Sequence, residues 1–174
     1  MNEKRNIILQ NGLIIRWLEV SSLSDTKTFT ICIPLDEDGY LEMECDFCKN
    51  RFMLHKNIYE DTKYLHFFCP ICGLPNETDT FFCTEVLEKM QRVATNYALA
   101  QIDAILGKSF KELNKNKFIK VTTKKSKIEP ENELYEPTKA YELIKMDCCN
   151  IYLKTQNFDK EIGIYCPICG GTKI

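Results

Sequence analysis

Eight of the ten cysteines fall in two clusters, Cys45/Cys48/Cys69/Cys72 and Cys148/Cys149/Cys166/Cys169, while Cys32 and Cys83 stand apart. In the first cluster two Cys-x-x-Cys pairs are separated by twenty residues, the spacing at which two hairpin tips present four thiolates tetrahedrally around zinc. Each pair needs a tight turn, so that both sulfurs and the nearby amides point inward. Gly73 supplies conformational freedom beside one turn and Pro70 fixes φ inside it. Packing four reduced cysteines as small hydrophobes explains neither their number nor their spacing.

The second cluster reads as a relative of the first. A shift of 100 residues sets Glu42, Cys48, Asn50 and Phe52 against Glu142, Cys148, Asn150 and Tyr152, and Cys69-Pro70-Ile71-Cys72-Gly73 reappears as Cys166-Pro167-Ile168-Cys169-Gly170. In that alignment Lys145 replaces Cys45, and Cys149 has to supply the missing ligand. Neighbouring residues on an extended strand face opposite ways, so Cys148 and Cys149 share a metal only from a turn. Two alternatives stay open: a three-cysteine site with an open position, and a metal-free remnant. His55 and His66 belong to the first unit and read as polar loop or strand residues.

With its Cys-Pro-x-Cys-Gly knuckles the chain resembles the zinc-ribbon family, including the ribbon of general transcription factor IIB, over about 35 residues in each half. The resemblance implies two β-hairpins clasping a zinc ion, with Cys45, Cys48, Cys69 and Cys72 as ligands. It points to function only loosely, because ribbons serve transcription factors, ribosomal proteins, enzyme subunits and adaptors alike. Two Zn2+ per chain are expected.

The elements that must position these residues read as an α+β protein. Residues 1–80 form a β-meander continuous with the first zinc ribbon. Asn11-Gly12 suits a hairpin turn between Ile7–Leu9 and Leu13–Ile15; Thr28–Pro34 and Tyr40–Cys45 read as further strands across the turn Asp36–Gly39. Residues 81–114 form one long helix, capped from within Asn76–Thr80, on which Val86, Met90, Val93, Tyr97 and Ala100 make an apolar stripe. Residues 115–140 read as a charged linker, and 141–174 as the second ribbon-like unit.

With 174 residues and 44% hydrophobic content, the chain is long enough for a modest core. No apolar run approaches the ~20 residues of a membrane span. The segment after Met1–Asn6 lacks the apolar core of a secretory signal, so the expected compartment is the cytoplasm, where cysteine clusters serve metals rather than disulfides. The zinc-deaminase arrangement is absent, since Pro lies inside the cysteine pair and no His-x-Glu precedes it. Phosphate loops, nucleophile elbows and metalloprotease motifs are missing too. Cys-Pro-x-Cys is shared with the glutaredoxin redox pair, but two copies with partner cysteines upstream favour metal.

The expectation is therefore a non-catalytic interaction protein. It would bind a protein partner, or a second copy as a homodimer, through the Val86/Met90/Val93/Tyr97 stripe. The alternative is nucleic-acid binding by Lys111, Lys115, Lys117, Lys120, Lys124 and Lys125 of the tract Lys108–Lys127, where eight lysines stand against one glutamate. Against that stand a pI near 5.8 and the acidic stretch that follows.

Overall fold

The computed structural model describes residues 12–21, 26–113, 124–137, 140–156 and 163–173, with the side chains of 16–26, 112–113 and 173 left undescribed. Its elements, in chain order, begin with strands β1 (Gly12–Ser21), β2 (Thr26–Pro34), β3 (Tyr40–Glu44) and β4 (Arg51–His55), then the short helix α1 (Lys56–Tyr59). Strands β5 (His66–Phe68) and β6 (Pro75–Glu77) precede the long helix α2 (Thr84–Leu113). Strands β7 (Glu142–Met146), β8 (Ile151–Thr155), β9 (Ile164–Tyr165) and β10 (Thr172–Lys173) complete the α+β fold. The chain divides into two units: Met1–Val86 with Leu134–Ile174, and Leu87–Glu133.

Gly12 is not a turn residue. It opens β1 and pairs with Pro34 of β2 in a two-stranded antiparallel sheet; residues 7–11, the other arm of the expected hairpin, lie outside the described residues. Leu13, Phe29, Ile31 and Ile33 of this sheet are buried. The turn at 36–39 forms for a legible reason. The Asp36 carboxylate accepts from the amides of Asp38 (3.1 Å) and Tyr40 (2.8 Å), an Asx-turn, and Gly39 takes φ +83°. The strands on either side of it, β2 and β3, belong to different sheets, so the meander is broken here.

The central sheet has the order β3-β4-β8-β7, antiparallel throughout. One of its faces carries Leu41, Met43, Phe52, Leu54, Ile144, Met146, Leu153 and Thr155, all buried. Burial alternates with period two in β7 and β8, whereas β3 and β4 also bury Tyr40, Glu44 and Met53 on the opposite face; the shared face is the floor of the core. Phe67 and Phe81 are also fully buried, and Phe81 packs edge-to-face on Phe52 at 5.6 Å between centroids.

The opposite face of β3 and β4 anchors the start of α2 by a polar network that sequence reasoning missed. Arg51 donates to Glu44 (2.9 Å), Glu42 (3.3 Å) and Glu85 (2.8 Å). Thr84 donates to Glu44 (2.8 Å), and Tyr141 to Glu42 (2.6 Å). Its only trace in the sequence is the same-face pair Glu42/Glu44 with Arg51 three residues after Cys48. The segment 76–80, expected to cap the helix, is instead β6 and a 3-10 turn at Thr78–Thr80.

In the second unit, residues 126–132 run back along α2. Arg92 donates to Asn132 (2.7 Å) and the Pro130 carbonyl (3.3 Å). Asn96 exchanges two hydrogen bonds with the Glu129 backbone (2.8 and 3.1 Å), and Asp103 accepts from the Ser126 amide and hydroxyl (2.8 and 2.9 Å). Positions 92, 96 and 103 share one helical face, so a stretch that composition marks as linker is tied down over these residues. The expected stripe is not the exposed surface of α2. Val86 is buried and Met90, Val93 and Tyr97 are half-buried, whereas Leu87, Ile102, Ile105 and Leu106 are exposed.

The two cysteine-bearing halves of the first unit are related by an approximate dyad. β4 and β8 meet through Met53↔Lys154 and Leu54↔Leu153. The knuckles bond each other reciprocally: the Phe68 amide donates to the Pro167 carbonyl (2.8 Å) and the Tyr165 amide to the Pro70 carbonyl (2.9 Å). Phe68 and Tyr165 each precede the first cysteine of their own knuckle. A Cβ added at Gly73 would lie 3.0 Å from the Tyr165 ring, and one at Gly170 would lie 3.0 Å from the Phe68 ring. Each glycine is thus the floor on which the other half's aromatic ring rests.

Candidate metal centres

Three of the four cysteine turns share one backbone design. The amide of the first cysteine donates to the carbonyl five residues on: Cys45 to Asn50 (3.0 Å), Cys69 to Leu74 (2.9 Å) and Cys166 to Gly171 (2.7 Å). The carbonyl of that cysteine accepts from the amide four residues on, that of Lys49, Gly73 or Gly170 (2.8, 2.9 and 2.9 Å). That fourth residue turns the chain back with φ of +57°, +72° or +69°. Closing these rings leaves the intervening amides free to face sulfur, and the Ile71 amide donates to Cys69 Sγ at 3.4 Å.

The first tetrad joins the turn between β3 and β4 to the knuckle between β5 and β6. Cys45 Sγ lies 3.7 Å from Cys72 Sγ, and Cys48 Sγ 3.7 Å from Cys69 Sγ; all four sulfurs fall within 4.8 Å of one another. Tetrahedral zinc with Zn–S of about 2.3 Å requires sulfurs about 3.8 Å apart. The donor set and its spacing therefore fit zinc, which would be held by four thiolates with no coordination position left open. Cys45 and Cys69 are fully buried, Cys48 and Cys72 half-buried.

The second tetrad joins the β7–β8 turn to the knuckle between β9 and β10, with Cys148 Sγ and Cys169 Sγ 3.5 Å apart and all four sulfurs within 4.8 Å. The structure corrects the 100-residue alignment by one position. The left-handed residue of the β7–β8 turn is Asn150, φ +50°, the counterpart of Lys49. The ladders agree: Cys45 faces Asn50 across the first turn, and Met146 faces Ile151 across the second. Set in this register, Cys149 is the equivalent of Cys48, the buried Met146 takes the place of Cys45, and Cys148 stands where the β3–β4 turn has Phe47. The fourth ligand has moved from the buried end of a strand to the tip of the turn. Phe47 is 60% exposed, and Cys148 and Cys169 are exposed as well. The reassignment was hidden because a cysteine faces Cys48 in either register, while only the register that is one residue off also matches Asn50 with Asn150; that slip reverses every side chain's face.

The thiols of both sites are shifted in both directions: at the second, Cys148 is pushed up to about 11 although it is exposed. On the protein's own groups, burial pushes the Cys45 and Cys69 thiols above the ordinary range. At Cys48 burial is the largest single influence and acts the same way, but the hydrogen bonds of Asn50, Cys69 and Cys45 together outweigh it and lower the thiol. At the exposed site the Gly171 amide, ahead of the neighbouring thiols, brings Cys169 down to about 7. Cys83, outside both tetrads, is buried beside Glu42, donates to the Glu42 carbonyl (3.4 Å) and is pushed up to about 12, chiefly by burial. Neither histidine joins a tetrad: His55 Nδ1 accepts from the Asn57 amide (3.3 Å) as the cap of α1, and His66 packs edge-to-face on Phe68. Of the six lysines weighed for nucleic acid, Lys111, Lys124 and Lys125 are exposed and Lys115, Lys117 and Lys120 lie outside the described residues.

No family model, curated protein or solved structure matches the chain. The geometry alone identifies two cysteine tetrads suited to zinc. No helix among the described residues is long and apolar enough to cross a membrane.

Proposed function

We propose that this chain is a non-catalytic zinc-binding adaptor, in which two zinc-stapled half-units form a rigid body and α2 offers an apolar face to a protein partner or to a second copy. The observation that carries the reading is the completeness of both sites: four thiols converge at each, which makes the metal a staple and leaves no vacant position for substrate. The exposed Leu87, Ile102, Ile105 and Leu106 of α2 supply the surface in place of the Val86/Met90/Val93/Tyr97 stripe. Apolar side chains clustered on one helical face favour association.

Elemental analysis combined with light scattering on the native protein tests both parts. Two zinc ions per chain are expected, with a mass above that of the 20.3 kDa chain that reverts to it in Ile102→Glu/Ile105→Glu. Fewer than two zinc ions would overturn the staple reading, and an unaltered mass in the double variant would remove α2 as the associating face. Nucleic-acid binding is the second reading, favoured by the exposure of Lys111, Lys124 and Lys125. It predicts affinity for single-stranded DNA that falls steeply with salt.

A further inference from the structure

Each tetrad has four thiols, but the second is the more accessible, with two exposed members where the first has none. In the first, each close sulfur pair, Cys45/Cys72 and Cys48/Cys69, joins a fully buried cysteine to a half-buried one. An oxidant cannot reach both members of a pair without opening the β3–β4 turn or the β5–β6 knuckle. In the second, the close pair is Cys148/Cys169 at 3.5 Å, and these are the two exposed members of the tetrad, Cys149 being half-buried and Cys166 fully buried. The ligand displacement described above accounts for the exposure of Cys148, which occupies the outward turn position while Met146 fills the buried one.

Resting on the zinc reading of this tetrad, we propose that Cys148 and Cys169 form a hydroperoxide-sensitive pair whose oxidation releases the second zinc ion while the first stays bound. One thiolate attacks the peroxide, forming an S–O bond as the O–O bond breaks; the leaving hydroxide takes a proton and departs as water. The second thiolate attacks the resulting sulfenic sulfur, forming the S–S bond and expelling hydroxide, which a second proton converts to water. Two sulfurs together lose two electrons and the peroxide gains them. Cys149 and Cys166 alone then remain as ligands, too few to retain zinc against water.

The full-length protein is first assayed for metal, and a ratio of two zinc ions per chain establishes the reading on which the proposal rests; a lower ratio fails that reading and the proposal with it. Hydrogen peroxide is then added stepwise, with released zinc followed by a chromogenic chelator and disulfides mapped by mass spectrometry without reduction. One zinc ion per chain is expected to leave first, together with a Cys148–Cys169 disulfide, while the peptides bearing Cys45, Cys48, Cys69 and Cys72 stay reduced. Simultaneous loss of both ions, or earlier oxidation of the first tetrad, would overturn the proposal. So would one-ion loss with a bridge other than Cys148–Cys169. Met146→Cys/Cys148→Phe restores the first tetrad's ligand layout; it is expected to hold two zinc ions and to lose the early release, and persistence of that release would also count against the proposal. The titration of the unsubstituted protein decides the matter even where the double variant fails to fold.

Discussion

Met146 and Cys148 show how a single backbone turn accepts two different ligand layouts. The left-handed residue fixes the path of the chain, and the sulfur is supplied from either flank of the turn. The side chain tolerated at that left-handed position depends on what rests on it. Lys49 and Asn150 carry side chains at φ +57° and +50°, whereas Gly73 and Gly170 lie beneath the Tyr165 and Phe68 rings. Gly73→Ala therefore combines backbone strain with an overclose contact and should cost about 1–3 kcal/mol. Lys49→Gly should change stability by only a few tenths of a kcal/mol. Denaturant melts of the zinc-loaded proteins check both, and equal losses would show that the rings do not discriminate. The Cys-Pro-x-Cys-Gly signature makes the glycines legible as turn formers; their second role, as floors for rings from the other half, involves residues nearly 100 positions away and leaves no local pattern.

Among the elements, strand alternation and the long helix are visible in sequence because their periods are local. Strand pairing is not, because Asp36–Gly39 forms the expected turn yet joins strands of two different sheets. The start of α2 illustrates the same limit: its position is set by Thr84 and Glu85 meeting Glu44 and Arg51, not by a cap within 76–80. Glu44 is 7% exposed, so Arg51→Met would leave a largely buried carboxylate without its cation. The expected cost is about 3 kcal/mol, which lowers the melting temperature by roughly 10 °C in a unit of this size. Glu85, whose side chain is 56% exposed, should contribute less than about 1 kcal/mol when replaced by Ala. Thermal melts in which both variants behave alike would refute this division of roles.

At the scale of the whole molecule, zinc at the two tetrads would reinforce half-units that share one four-stranded sheet and one buried apolar face. Structural zinc contributes about 10 kcal/mol or more per site in small domains, comparable to the entire stability of an ordinary one. A strong chelator should therefore abolish the near-ultraviolet signal of the first unit's buried aromatics. Helical signal from α2 should survive in part, because residues 126–132 are tied to it without any metal ligand. Circular dichroism in both ranges reads the two responses from one sample, and a near-ultraviolet spectrum that survives chelation would deny the metal its structural role.

The dyad also has a consequence during synthesis. β4 and β8, which form the middle of the central sheet, are separated by about 100 residues of chain, roughly 5–20 s of translation. Throughout that interval the β4 edge, with Met53 and Leu54, is finished but unaccompanied. The strand it awaits, β8, differs from it at every position, but the backbone bonds it needs are offered by any open antiparallel edge, β4 of a neighbouring nascent chain included. Ribosomes translating one message side by side thus bring together chains able to pair before either is complete, and the yield of correctly closed monomer should fall as initiation on the message becomes more frequent.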